Sequence, residues 1–431
     1  MRSALFLFLM SACTSLLLAL SDLPALGQRT APSNTPLALV GATIYTSPTD
    51  DRIHDGVVLI EGTTISAVGP KSQVRIPLDA QVLDCSGLAI TAGFWNSHVH
   101  FFERKWSNAA AIPASELALQ LEAMLTRYGF TSVFDLGSMW ENTRAIRYRI
   151  ESGEVPGPKI RSTGEALVPP GALPSDTVLS MMGTMKFPAP EIAYAAQASA
   201  AAQRLLDDGV DGIKLFASSP RSKPLTVETL QAAVDEAHKA GKLAFVHPNS
   251  GADILTAVRA GVDIIGHTTP QSGPWDHELL AAMKRRGVAL TPTLTIWKYY
   301  ARHDRISAQE QIVNTELGQL RTWLASSGVV LFGSDLGAID YDPIEEYSLM
   351  SGAGMDFRQI LAALTTAPAG RFGDASHLGR ITPGYQADLV VLAGDPAKNL
   401  HALTAVQYTL RAGKIIYRAP ADPASASKST N

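Results

Sequence analysis

Cysteine is nearly absent from this chain of 431 residues: it has only Cys13 and Cys85. If Cys13 leaves with an N-terminal leader, Cys85 stands alone and no intrachain disulfide can form. The fold must then rest on a packed core and not on covalent staples. Charge is sparse as well, at 18% of residues against about 25% in an average soluble domain. The net charge is −4 and there is no long basic block, which sets nucleic acid aside as a partner. No Gly-rich phosphate loop or dinucleotide fingerprint is present. No repeat with a period of about 20–50 residues is visible, which excludes solenoids and propellers. What is plentiful is apolar sequence, 46% of residues, enough for a large core.

The N-terminus carries the pattern of a leader. Arg2 precedes an apolar stretch from Ala4 to Leu20, interrupted by Ser11, Cys13, Thr14 and Ser15, and Ala25-Leu26-Gly27 follows as a small-x-small cleavage site. This predicts a signal peptide over 1–27 and export to the periplasm or beyond, with no stable membrane span afterwards. Two readings compete. One is an uncleaved anchor, for which the run is shorter than the usual ~20 residues. The other is a lipoprotein at Cys13.

The rest divides into three zones. The first, within 28–90, has short β-type runs at Leu39–Tyr45, Val57–Glu61, Ile65–Val68 and Gln81–Asp84, which predict a small antiparallel unit. The last, 373–420, has a strand at Ala387–Leu392 and a hairpin of Val406–Arg411 and Lys414–Tyr417 around Ala412-Gly413. The two end zones are expected to pair into one small β-sandwich domain, with 421–431 as a disordered tail. The middle, 91–372, alternates apolar runs with helical stretches such as Glu191–Asp207 and Val227–Ala240. The runs are Ala92–Phe101, Thr131–Leu136, Lys159–Gly164, Gly212–Phe216, Leu243–His247, Val262–His267, Val288–Leu294 and Val329–Asp335. Eight strands alternating with helices predict a (β/α)8 TIM barrel; an open doubly wound sheet is the competing reading.

Chemistry-bearing residues gather at the ends of these runs. His98 and His100 close the first; alternate residues of a strand share a face, so both imidazoles can reach one ion. His-x-His also arises by chance. Position is the stronger argument: His247 ends the fifth run, His267 the sixth and Asp335 the eighth, and barrel active sites lie at C-terminal strand ends. His54, His238, His277, His303, His377 and His401 fall in helices and loops and are set aside. Lys214 lies among apolar neighbours in the fourth run. Burial would favour its neutral amine, which can take up carbon dioxide as a carbamate; a lysine paired with a loop carboxylate is the alternative.

From Leu37 to Arg418 the chain resembles the amidohydrolase superfamily. The marks are Gly93-Phe94-Trp95-Asn96-Ser97-His98-Val99-His100, Lys214, His247, His267, Gly333-Ser334-Asp335 and the tail Leu378-Gly379-Arg380-Ile381-Thr382-Pro383-Gly384-Tyr385-Gln386-Ala387-Asp388-Leu389. Their order is similar to the binuclear subtype that includes imidazolonepropionase-related and Xaa-Pro dipeptidase-like enzymes. The resemblance implies two divalent metals, zinc foremost. His98, His100 and Asp335 would hold the more buried one, and His247 and His267 the other. A carbamylated Lys214 and a hydroxide would bridge them, with Asp335 moving the proton. An aspartate usual just before the first histidine is replaced by Asn96-Ser97. Deaminase members usually place a glutamate three residues after the fifth-strand histidine. His247-Pro248-Asn249-Ser250 lacks it, which counts against deamination.

The expected function is hydrolysis of an amide, peptide or cyclic-amide C–N bond in a small molecule. A hydrolase of C–O or P–O bonds on the same site is the alternative, and a non-catalytic periplasmic binding protein the weaker one. Substrate contacts are expected from Trp106, Trp140, Glu165, Arg221, Trp297 and Tyr299. Self-association into a homo-oligomer is left open.

Overall fold

The computed structural model describes residues 35–172, 176–183, 189–219, 222–337 and 342–420. The expected leader 1–27, the tail 421–431 and Arg221 lie outside the described residues. No helix among the described residues is long and apolar enough to cross a membrane. Cys85 is a buried free thiol.

The chain is an α/β protein built on sixteen named strands. Five precede the middle zone: β1 (Leu37–Ile44), β2 (Ile53–Glu61), β3 (Thr64–Pro70), β4 (Gln81–Asp84) and β5 (Leu88–Ala92). Eight follow: β6 (Phe94–Val99), β7 (Phe130–Gly137), β8 (Lys159–Glu165), β9 (Gly212–Phe216), β10 (Leu243–His247), β11 (Ile264–Gly266), β12 (Ala289–Thr291) and β13 (Val329–Val330). The last three are β14 (Leu389–Ala393), β15 (Val406–Arg411) and β16 (Lys414–Arg418).

Strands from both chain ends join in one eight-stranded sheet, ordered β16-β15-β14-β5-β1-β2-β3 with β4 beside β1. The run expected to begin at Ala92 is therefore two strands, because Ala92 pairs with Leu389 in this sheet. The expected antiparallel unit is also only part of the picture, since β4 and β5 both run parallel to β1. They share β1 by taking different halves, Leu37–Val40 and Thr43–Ile44, on either side of Gly41. Gly41 has φ +91°, and a β-carbon there would lie 3.3 Å from the Ser86 backbone, so the fork requires glycine.

The middle strands are all parallel, in sheets β6-β7-β8 and β13-β12-β11-β10-β9. Parallel bridges Leu167↔Leu215 and Val99↔Leu336 link the two sheets. Every residue of β6 and β7 is buried, as expected of strands covered on both faces. Trp95, Phe134, Phe245, Ile264, Ala289 and Leu331 pack together with Phe372 and Leu378 between the strands. A larger core packs the helices on the outside. Helix starts are set by side chains: Thr226 caps Val227–Lys239, Ser250 caps Gly251–Ala260 and Asp276 caps His277–Arg286, each accepting from a backbone N–H in the first turn.

Candidate metal centre

The strand alternation delivers the expected side chains to one place. His98 sits in β6 and His100 one residue past its end; His247 ends β10; His267 follows β11; Asp335 follows the short β13; Lys214 lies mid-way along β9. All are buried but His247, which is half-buried. Ring centroids are 5.2 Å apart for His98 and His100, 4.7 Å for His98 and His267, and 4.6 Å for His247 and His267. Asp335 Oδ1 lies 2.8 Å from His100 Nε2 and 3.3 Å from His98 Nε2. One ligand atom each from His98, His267 and Asp335 falls within 4.8 Å of the others. Gly266 makes room: a β-carbon there would stand 3.1 Å from His98 Cε1 and 3.2 Å from Lys214 Nζ.

The donor set fits a divalent cation. Burial, and then the charge of Lys214, holds His98 well below its ordinary pKa. Burial and the neighbouring His247 do the same for His267, and burial and Lys214 bring His247 down to about 3. Neutral imidazoles offer the lone pairs a metal takes. Both ring nitrogens of His98, Nδ1 of His100 and Nζ of Lys214 have no hydrogen-bond partner among the described residues, which is costly for buried polar atoms unless something else fills the space. Burial lowers the Lys214 pKa to about 7, against the opposing pull of Asp335. No ion pair with a loop carboxylate is present for it among the described residues.

The second layer was not legible in the sequence. The Thr293 hydroxyl donates its one proton to Pro292 O at 2.8 Å, so toward His267 Nδ1, 2.6 Å away, it can only accept. His267 therefore carries its proton on Nδ1 and keeps the Nε2 lone pair free. Thr293 in turn precedes helix Leu294–Ala301, whose first N–H groups, Leu294 and Thr295, both donate at 2.9 Å to the fully buried carboxylate of Glu346. Burial pushes the Glu346 pKa up to about 7. His267, Thr293 and Asp335 have φ of 83°, 45° and 58°, a left-handed backbone that side-chain-bearing residues seldom adopt, and such strain concentrates at functional sites. Asn96, where an aspartate was expected, ties the first ligand segment to the last. Its Nδ2 donates to Ser334 Oγ at 2.6 Å and its Oδ1 accepts from Ser334 N at 3.1 Å. On the His100 side, buried Asp135 accepts from Ser162 at 2.7 Å and Thr143 at 2.9 Å and also from Ser138, whose Oγ accepts from Phe101 N.

The expected substrate residues divide. Trp297 is buried 6.3 Å from the His267 ring, and its Nε1 has no partner among the described residues. Tyr299 lies two residues further along the same helix, with the Arg302 guanidinium 3.7 Å from its ring centroid. Trp140 and Glu165 engage each other: Glu165 accepts from Trp140 N at 3.2 Å, and the indole donates to Asp208 O. Trp106 is fully buried edge-on to Phe101. Phe216, not singled out in the sequence, stacks on His247 at 4.4 Å.

With this centre described, relatives can be weighed. The amidohydrolase family matches residues 89–417. The chain belongs to the amidohydrolase family. An ochratoxinase from Aspergillus niger is 24% identical over 366 residues, 75% of this amidohydrolase and 74% of the relative. Among solved structures, a Xaa-Pro dipeptidase with bound methionine in its active site is 21% identical with a TM-score of 0.76, covering 89% of this chain and 100% of that one. The A. niger ochratoxinase structure is 19% identical with a TM-score of 0.72, covering 89% and 96%. These structures share the fold of this amidohydrolase.

Proposed function

We propose that this amidohydrolase cleaves an amide-type C–N bond in a small molecule, using two divalent cations, zinc foremost. The observation that carries the reading is the convergence of four imidazoles, three held neutral by burial, and buried Lys214 on Asp335. His98, His100 and Asp335 would hold one cation and His247 and His267 the other, with Lys214, as a carbamate, between them. When bound, the cations supply polarisation of the substrate carbonyl and acidification of water. Asp335 takes the proton of the attacking water on its carboxylate and passes it to the leaving nitrogen, which departs poorly without it. His100 Nε2, 2.8 Å from the same carboxylate, would share the cation with it. Thr293 holds His267 in one tautomer, while Phe216 and Trp297 wall the site with apolar surface and exclude bulk water.

The two parallel sheets are proposed to close into a (β/α)8 barrel, a reading supported by the bridges at Leu167↔Leu215 and Val99↔Leu336. The chain-end sheet, forked at Gly41, is proposed to fold into a sandwich beside it. Export with removal of residues 1–27 rests on the leader pattern, and mass spectrometry of the mature protein from its host tests it.

The function is tested by assaying metal-loaded protein on dipeptides, N-acyl amino acids, lactones and organophosphates, with metal analysis in parallel. About two metals per chain and turnover confined to amides are expected. Turnover of lactones or organophosphates alone would replace the reading with C–O or P–O hydrolysis. Metal without turnover on any class would favour a binding protein.

A further inference from the structure

The parallel strands have a second concave end. A cavity of about 670 Å³ opens where they begin. Its wall includes Lys159 and Arg161 at the start of β8, Lys242 just before β10, Arg147 from helix Trp140–Glu151, Arg371, and Arg411 of β15. Strand β10 runs from Leu243 at this cavity to His247 at the metal centre, so about 13 Å of strand separates the two at ~3.3 Å per residue.

Six cations meet five acids here. Glu151 and Asp211 are in the wall, Asp374 faces Lys159 and Arg161, Asp263 stands near Arg371, and Asp388 stands near Arg411 and accepts from Gln386 of the wall. Arg147 pairs with Asp211 at 2.7 Å, Arg411 with Glu151 at 2.5 Å, Arg161 with Asp374 at 2.7 Å and Lys159 with Asp374 at 3.2 Å. The remainder is uncompensated. The Lys242 ammonium has no partner among the described residues. Arg371 donates to the carbonyl of Gly287 at 2.7 Å, and burial lowers its pKa. Asp263 is shared with His238, 2.9 Å away. Arg411 Nε is a buried donor with no acceptor among the described residues. Six positive against five negative groups leaves an excess of one, in a chain whose net charge is −4.

We propose that this cavity binds a phosphate group, either the free ion or the head of a small phosphorylated molecule. A phosphate group carries about −1.5 to −2 at neutral pH and three acceptor oxygens, enough for the donors left over at Lys242, Arg371 and Arg411 Nε, and arginine forks suit those oxygens. A single carboxylate has only two oxygens to offer them. The volume exceeds that of one phosphate and leaves room for an attached sugar-sized body. The site is independent of the hydrolytic reading above.

Calorimetric titration of the metal-loaded, full-length protein at low salt tests this, with inorganic phosphate, ribose 5-phosphate and acetate as probes. Both phosphates should bind and acetate should bind at least ~10-fold more weakly; Lys242→Gln and Arg371→Gln should each weaken phosphate by about 10-fold or more, since each removes a charge-assisted hydrogen bond. Lys214→Ala, which should lose the metals, should leave that binding unchanged. Circular dichroism confirms that the variants fold, and Lys242→Gln, at a half-buried position, is the gentler of the two cavity variants. Equal affinity for the two phosphates identifies the free ion, and a gain for ribose 5-phosphate identifies a phosphorylated molecule. Loss of binding in Lys214→Ala with none in Lys242→Gln or Arg371→Gln would place the anion on the metals and overturn the proposal. So would acetate binding as tightly as phosphate, or no phosphate binding at all.

Discussion

The two ends of the parallel strands handle charge in opposite ways. Where the strands finish, imidazoles are buried until they are neutral, polar atoms such as Lys214 Nζ and His98 Nδ1 go unpartnered, and three residues hold a left-handed backbone. Where the strands begin, the groups are permanent charges and most are tied in ion pairs such as Arg147–Asp211 and Arg161–Asp374. The difference teaches that one framework supplies rigidity for both. The finishing end trades stability for reactive groups held without partners, and the starting end keeps its charges balanced to within one.

The largest effect should come from the finishing end. Asp335→Asn keeps the shape and a coordinating oxygen but cannot accept a proton, so turnover should fall at least ~100-fold with metal occupancy intact. Rates at saturating metal, with occupancy verified, check this; full activity would mean that the proton travels through another residue. Lys214→Ala should lose metal as well as turnover, and added short carboxylates should restore part of both. Retention of wild-type metal content would remove Lys214 from the centre and weaken the contrast between the ends.

A smaller effect is expected one layer out. Thr293→Val leaves His267 Nδ1 without an acceptor and should lower metal affinity by about 10- to 100-fold, as loss of such supporting bonds commonly does. Thr293→Ser should restore it, and competition with a chelator of known affinity measures both. Glu346 connects this layer to pH. Its folded pKa of about 7 lies above the ordinary 4.5, so its contribution to stability is complete below pH 4.5 and is lost as pH rises through about 7. Chemical denaturation at pH 5 and pH 8 should show that Glu346→Gln flattens this loss relative to wild type. Equal slopes would mean that the carboxylate is solvated. The smallest effect belongs to the starting end. Arg147→Gln breaks a partly exposed pair and should cost about 1 kcal/mol or less, read from the denaturation midpoint, with metal content as in wild type.

How much of this was legible in sequence follows from the range of the forces involved. Strands β9 and β10 begin and end where the apolar runs predicted, because burial on both faces leaves an uninterrupted signature. Most of the residues gathered around Asp335 were legible for the same reason, as polar residues near the ends of apolar runs; Lys214, mid-way along β9, stood out as a charge inside one. β5 was missed, because Leu88–Ala92 differs from β6 only in its partner, and the partner, β14, lies about two thirds of the chain away. The eighth run was read as a full strand, yet only Val329–Val330 pairs as one. The backbone then leaves the ladder, Phe332 N bonding to Ala363 O and Asp335 N to His98 O. Thr293 gave no signal at all, and Asn96 stood out only as a departure from the usual aspartate. A threonine with positive φ contradicts local preference, and the Asn96–Ser334 bond joins residues 238 positions apart.

Pairing of Ala92 with Leu389 also sets the order in which the molecule can be made. While the chain emerges from the ribosome, the whole run of middle strands is synthesised before β14 exists, so β5 must wait with one edge open. The middle zone can collapse first on its own local contacts, and the end sheet closes only when synthesis is nearly finished. Until that moment the N-terminal strands are not locked in place by their C-terminal partners. A secretion machine that threads polypeptide from its N-terminus would therefore meet a strand edge still free to be pulled.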